Sequence, residues 1–240
     1  MLNLLYQDKD ILVCVKPSGA LSTDEPGGMP ELLRDALGNP KAPVYSVHRL
    51  DRVVSGLMVY ARSKEAAAAL SRSITEHTFD KEYMAVLHGR PAEERARYDD
   101  LLFREKSENK TYVVKRMRKG VRDAALEYEL LAAADGLSLV KIHLLTGRTH
   151  QIRAQFSSRQ LPLFGDRKYG AAQDKGEIAL WSHALRFPHP ATGKEMHFSL
   201  LPPRRNPWDL FPDFCKEQNP DTLILPERKQ FLRQAAEEII

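Results

Sequence analysis

The 240-residue sequence predicts an α+β fold: one principal domain over residues 1–208, then a C-terminal extension over 209–240. Three observations carry this. Short apolar runs closed by Pro or Gly recur along the first 200 residues and read as strands. Only a few segments favour helix, and they are interleaved with the strands instead of alternating with each one. After Pro202-Pro203 the composition changes, and Pro207, Pro212, Pro220 and Pro226 interrupt the chain. At 42% hydrophobic and 28% charged, the sequence can build a sizeable core and does not read as disordered.

The elements follow in order. Residues 11–15 are an apolar run stopped by Lys16-Pro17-Ser18-Gly19, a strand and its turn. Residues 30–37 form a short helix. Residues 57–61 are rich in strand formers. Ser63 caps a helix over 64–77, where alanine and leucine raise helix propensity. Residues 81–88 are the next strand. Hairpin strands are expected around 111–114 and 126–132, within and after the most basic stretch, 104–122. Residues 137–145 alternate apolar with polar, as a half-buried strand does. A helix is expected over 149–157 with Thr149 near its start. Strands over 179–187 and 195–200 are joined by the turn-rich Pro188-His189-Pro190-Ala191-Thr192-Gly193. A terminal helix is expected over 227–239, with Pro226 near its first turn.

Composition narrows the function classes. A net charge of +4 permits a polyanionic partner without requiring one. Cys14 and Cys215 are too few and too far apart for a cysteine metal site, and they suit a reducing compartment. His183, His189 and His197 lie close in sequence but lack a partner of zincin type, so no metal is expected. No P-loop, dinucleotide glycine motif or Gly-x-Ser-x-Gly elbow occurs, which removes the main support for ATP, NAD or serine-hydrolase chemistry. The opening residues reach charge too early for a secretion signal, and no apolar stretch approaches the ~20 residues of a membrane helix. A cytoplasmic protein, monomeric and without a membrane partner, is expected.

Three segments hold polar residues that local structure does not demand. In Val47-His48-Arg49-Leu50-Asp51-Arg52-Val53-Val54-Ser55-Gly56 a carboxylate sits between two arginines, ahead of an apolar strand. Flanking guanidinium groups favour its ionised form, fit for a nucleophile or base; a salt-bridged surface loop has the same composition. In Lys81-Glu82-Tyr83-Met84-Ala85, Tyr83 is an acid/base or stacking group, or a strand aromatic in the core. In Leu145-Thr146-Gly147-Arg148-Thr149-His150-Gln151-Ile152-Arg153, donors cluster where a strand gives way to a helix, a place suited to a phosphate.

Together, in this order, the three segments resemble the RluA-like RNA pseudouridine synthases: the motif around Asp51, the tyrosine motif around Tyr83 and the arginine motif ending at Arg153. Lys16-Pro17-Ser18-Gly19, Gly165-Asp166-Arg167-Lys168-Tyr169-Gly170 and Ser182-His183-Ala184 add to the match, which spans roughly residues 4 to 203. The chain departs from the family at Val54, where threonine is usual, and at Ala154-Gln155-Phe156, where a histidine is common. The resemblance begins almost at Met1, so the N-terminal S4 domain of many relatives is not expected.

The resemblance implies the pseudouridine synthase catalytic fold, a mixed, largely antiparallel central sheet with flanking helices and a central cleft. It implies an isomerase that needs no cofactor and acts on ribosomal or transfer RNA. Asp51, Tyr83 and Arg153 become the catalytic set: Asp51 acting at the ribose, Arg153 paired with it, Tyr83 against the uracil. Arg49 is implied to fill the space left by the flipped base. Arg52, His48, Arg148, His150 and Gln151 are expected to contact RNA, as are Lys115 and Arg116 in the basic stretch, which otherwise reads as a solvated hairpin face. Two competing readings are a catalytically silent RNA- or ribosome-binding protein of the same fold and a two-carboxylate glycoside hydrolase, for which Asp80, Glu82 and Asp166 are available as second acid.

Overall fold

The computed structural model describes residues 2–215; the helix expected over 227–239 lies outside them. Its spine is a sheet of eleven strands. They are β1 (Leu4–Gln7), β2 (Ile11–Lys16), β3 (Tyr45–Ser46), β4 (Ser55–Ala61), β5 (Asp80–His88), β6 (Arg95–Glu105), β7 (Lys110–Val114), β8 (Val121–Ala134), β9 (Leu137–Leu144), β10 (Leu180–Pro188) and β11 (Glu195–Ser199). The main path runs β1-β2-β4-β10-β5-β9-β8-β6-β7, with β3 also on β4 and β11 also on β10. Every pair is antiparallel except β4 with β10. The α+β class and the mixed, largely antiparallel sheet are as expected.

Period-two alternation splits the core into layers. From β2 and β4, Leu12, Cys14, Met58 and Tyr60 join the cluster containing Met29 and Leu33 of helix α1 (Met29–Ala36) and Ile152 and Phe156 of helix α3 (Gln151–Ser157). Their alternates Ile11, Val13, Leu57 and Val59 join Ala66 and Leu70 of helix α2 (Lys64–Thr75). Ser63 caps α2 as expected, its hydroxyl oxygen accepting from Ala66 N–H at 3.0 Å. A third layer buries Trp208, Phe211 and Cys215 against Met84, Val86, Leu139 and Trp181. Residues 208–215, including two 3-10 turns, therefore pack on the sheet.

Three local expectations need correction. The strands at 111–114 and 126–132 do not pair with each other: β7 and β8 both pair with β6, which the sequence reading missed. Residues 137–140 are buried on both faces, because β9 lies between β5 and β8 under two core layers. The helix expected from Thr149 begins at Gln151, after an N-cap at His150 that is left-handed at φ 54°.

Candidate active site

The loop between β3 and β4 carries Asp51, and the fold fixes that loop from three sides. Ser22 Oγ donates to Leu50 C=O and accepts from Leu50 N–H. The Lys16 ammonium, buried, donates to the carbonyls of Pro17, Ala20 and Arg52; burial lowers its pKa to about 8. Leu50 and Val54 plug the loop into the core, so the position where the family usually has threonine is an apolar anchor here and needs no hydroxyl. Just beyond, Gly56 sits at φ +117°, and a Cβ there would lie 2.5 Å from Ser182 N and O. Only glycine allows β4 to meet β10 at this point.

Asp51 is not paired with its sequence neighbours. Arg52 donates to Gly19 C=O, and Arg49 is exposed with no hydrogen bond or ion pair among the described residues. The partner is Arg153, 102 positions away, whose Nη1 donates to Asp51 Oδ2 at 3.0 Å. Arg153 is 5% exposed and belongs to α3. Its Nε and Nη2 clasp Asp166 at 2.7 and 2.8 Å, and its guanidinium lies 5.0 Å from the centroid of the Tyr169 ring. Burial opposes its charge, but Asp166 and Asp51 outweigh burial and raise its pKa. Asp166 entered the sequence reading only as a candidate second acid of the hydrolase alternative and Tyr169 had no assigned role; the segment Gly165 to Gly170 was the signal that pointed near them.

Tyr83 lines the same cleft as Asp51 and Arg153, a cavity of about 700 Å³. Burial, then the Asp51 carboxylate, pushes its phenol pKa up, so it meets a ligand as a neutral phenol. A second cavity of about 550 Å³ lies across Asp51, Arg153 and His150, and its lining includes Arg49, Arg52, Arg104, Arg167 and Lys168. One carboxylate thus stands between a pocket with an aromatic wall and a largely basic one.

The remaining site candidates divide into builders and exposed groups. His48 faces the cleft as a buried wall: its Nε2 accepts from Val59 N–H at 3.1 Å and its ring tilts against Phe79. Burial, then Lys81, lowers its pKa to about 3. Gln151 is also buried; its carbonyl oxygen accepts from Thr146 Oγ1 and Arg148 N–H, and its amide donates to Ala125 C=O. Gln151 and His48 Nε2 spend their hydrogen bonds on shaping the cleft, while His48 Nδ1 is buried with no hydrogen-bond partner among the described residues. Arg148 is exposed, lines the cleft and donates to Asp123 C=O. Lys115 and Arg116 are exposed beyond β7 and line neither cavity.

His189 has an acidic partner distant in sequence: its Nε2 lies 2.8 Å from Asp8 Oδ2, beside Asp10. Its Nδ1 accepts from Ala191 and Thr192 N–H, so both ring nitrogens are engaged within the protein. No helix among the described residues is long and apolar enough to cross a membrane.

Comparison with known proteins bears on this geometry. Residues 10–158 match the family model described as RNA pseudouridylate synthase. The chain is similar to the dual-specificity RNA pseudouridine synthase RluA of Yersinia pestis, 34% identical over 203 residues that cover 81% of this chain and 96% of that protein. It is also similar to the ribosomal large subunit pseudouridine synthase D of Zymomonas mobilis, 30% identical over 224 residues covering 85% and 70%. The solved human RNA pseudouridylate synthase domain containing 1 superposes with a TM-score of 0.73 over 98% of this chain and 95% of that one; at 23% identity the likeness is one of fold.

Proposed function

The chain belongs to the RNA pseudouridylate synthase family and is an RNA-modifying isomerase, and from that premise we propose that Asp51 is its catalytic carboxylate, acting on a uridine flipped out of ribosomal or transfer RNA. The observation that carries the reading is the 3.0 Å contact of Arg153 Nη1 with Asp51 Oδ2 at the wall of a cleft that also holds Tyr83. A permanent cation on one carboxylate oxygen keeps the group ionised and aimed. The other oxygen, Oδ1, takes no hydrogen bond among the described residues and is free to act at the ribose, whether at C1′ or at the C2′ proton.

The reaction breaks N1–C1′, turns the uracil and rejoins it through C5, which gives up its proton while N1 gains one. The detached ring needs a wall that holds it without bonding to it. The neutral Tyr83 phenol, on the buried side of the cleft, supplies an aromatic face for that. Arg49 is exposed, unpaired among the described residues and shared by both cavities, so it is placed to enter the stack the uridine vacates. The basic residues of the second cavity suit the sugar-phosphate backbone on either side. The chain acts in the cytoplasm as a monomer in this reading and uses no cofactor, since nothing in the isomerisation is oxidised or reduced.

Pseudouridine mapping of RNA from a deletion strain, complemented with wild type or with Asp51→Asn, tests the reading. One or a few sites are expected to vanish on deletion and to return with wild type alone. Purified Asp51→Asn is expected to lose on the order of 10³-fold in turnover or more while binding RNA. Restoration of the sites by Asp51→Asn would sink the assignment and favour a catalytically silent binding role.

A further inference from the structure

His150 stands between the two cavities in a conformation its sequence context does not require. It caps α3 at φ 54°, ψ 23°, a left-handed backbone that non-glycine residues adopt at a cost. Its side chain is 9% exposed. Nδ1 lies 3.0 Å from the Tyr169 hydroxyl, which itself accepts from Thr111 N–H at 2.7 Å. The Tyr169 ring meets the imidazole edge-on, with centroids 5.7 Å apart at 89°. Nε2 is 3.8 Å from Asp51 Oδ2, the oxygen that Arg153 also holds.

The hydrogen bonds around Tyr169 favour one tautomer. The Tyr169 oxygen is already an acceptor for Thr111 N–H, so its own proton is available to Nδ1. Nδ1 then accepts and the ring proton sits on Nε2, facing Asp51. Burial lowers the pKa of His150 ahead of the opposing pull of Asp51, with Arg153 and Lys168 adding to the depression, so the ring is neutral. A neutral donor can approach the carboxylate without giving it a second countercharge. Arg153 donates to Oδ2, His150 Nε2 is 3.8 Å from the same oxygen, and Oδ1 takes no hydrogen bond among the described residues.

We propose that His150 is a positioning residue for the reaction: oriented by Tyr169, it presents Nε2–H to Asp51 Oδ2 and, with Arg153, holds the carboxylate so that Oδ1 faces the ribose. This rests on the reading of Asp51 as the catalytic carboxylate. At 3.8 Å the contact is longer than a hydrogen bond, and it closes when RNA fills the two cavities, as catalytic hydrogen bonds commonly do on substrate binding. The left-handed backbone is what aims the ring; an ordinary helical cap would carry the side chain elsewhere.

The test uses the RNA identified by the deletion map, with single-turnover rate and RNA Kd measured separately. His150→Gly keeps the left-handed backbone and deletes the ring. His150→Gln returns an N–H donor at about the reach of Nε2. Tyr169→Phe removes the group that orients the ring. His150→Gly is expected to slow the single-turnover step about 10- to 100-fold with Kd within about threefold, His150→Gln to recover most of the loss, and Tyr169→Phe to lose about three- to tenfold. A His150→Gly rate within twofold of wild type overturns the proposal, as does a loss confined to Kd. So does a His150→Gln variant as slow as His150→Gly. If His150→Gly does not fold, Tyr169→Phe decides: a slowed rate at wild-type Kd supports the proposal and an unchanged rate overturns it. Asp51→Asn in the same assay separates the two levels. If it turns over normally, the reading of Asp51 falls; if it is inactive while His150→Gly is not slowed, only the role of His150 falls.

Discussion

Asp166 grips Arg153 through two hydrogen bonds, Nε to Oδ2 at 2.7 Å and Nη2 to Oδ1 at 2.8 Å, and leaves Nη1 as the edge that reaches Asp51. The guanidinium is therefore a bridge between two carboxylates, one completely buried and structural, the other at the cleft. Two parallel bonds fix the plane of the fork, and the plane fixes where the third donor points. A single carboxylate partner would leave Arg153 free to rotate about its stem.

Asp166→Ala should therefore lower turnover without touching substrate. It leaves a buried guanidinium with half its compensation, a change that typically costs about 3–5 kcal/mol of stability. Asp166→Asn keeps the shape and one acceptor and should be milder on both counts. The expected order of turnover is wild type, Asp166→Asn, Asp166→Ala, with Asp51→Asn lowest and Asp51→Asn least perturbed in melting temperature. Equal turnover for Asp166→Ala and wild type would show that Arg153 finds its place without the clasp.

His48 makes a prediction about acid stability. Its folded pKa, about 3, lies below the unfolded value near 6.5 because the ring is buried and faces Lys81. Between those values the unfolded chain binds the proton and the folded chain does not, so this group favours folding fully above pH 6.5 and progressively less as pH falls toward 3. One proton of difference corresponds to a slope of up to about 1.4 kcal/mol per pH unit. His48→Gln can still accept from Val59 N–H but does not titrate. Urea unfolding from pH 7 down to 4 should show a shallower loss of stability for His48→Gln than for wild type. Identical slopes would mean that His48 is protonated in the folded protein.

The fold was legible where burial and alternation coincide. β2, β4, β5 and β10 are short apolar runs, and the serine cap of α2 is a local signal that survived folding. β6 escaped notice because its alternation is carried by Ala96, Tyr98 and Leu102 among Arg95, Arg97, Asp99 and Asp100, a pattern too polar to stand out. Losing β6 made β7 and β8 look like partners. At the site, the residues of the three segments were nameable, yet their pairing was not. Arg49 and Arg52 flank Asp51 in sequence and point elsewhere in an irregular loop, whereas Arg153 arrives through the packing of α3. His48 and Gln151 looked like RNA contacts because composition alone does not reveal that both side chains are buried, with Gln151 and His48 Nε2 already bonded within the fold.

Gly56 and Gly19 separate two costs of backbone geometry. Both have positive φ, +117° and +90°. A Cβ at Gly19 meets nothing within 4 Å, whereas at Gly56 it meets Ser182 backbone atoms at 2.5 Å. Gly19→Ala should cost only conformational strain, about 1–2 kcal/mol. Gly56→Ala adds a clash that must push β4 away from β10, and should cost at least about 3 kcal/mol or prevent folding. Thermal unfolding of the two variants side by side checks the difference, and comparable melting temperatures would contradict the close strand approach.

Lys115 and Arg116 test how far the RNA footprint reaches beyond the cleft. They lie in the exposed connection from β7 to β8, near Arg118, whose guanidinium rests 4.7 Å from the centroid of the Phe103 ring, and beside the exposed Met117. No carboxylate pairs with either among the described residues, so both charges are available to phosphate. If RNA backbone crosses this tip, replacing both with alanine should weaken RNA binding and reduce the slope of log K against log salt by about one per lost contact. Turnover at saturating RNA should hold, because neither residue lines the cavity that contains Asp51. Binding measured across a salt series distinguishes the cases. An unchanged slope would make the tip a solvated hairpin face and confine recognition to the two cavities.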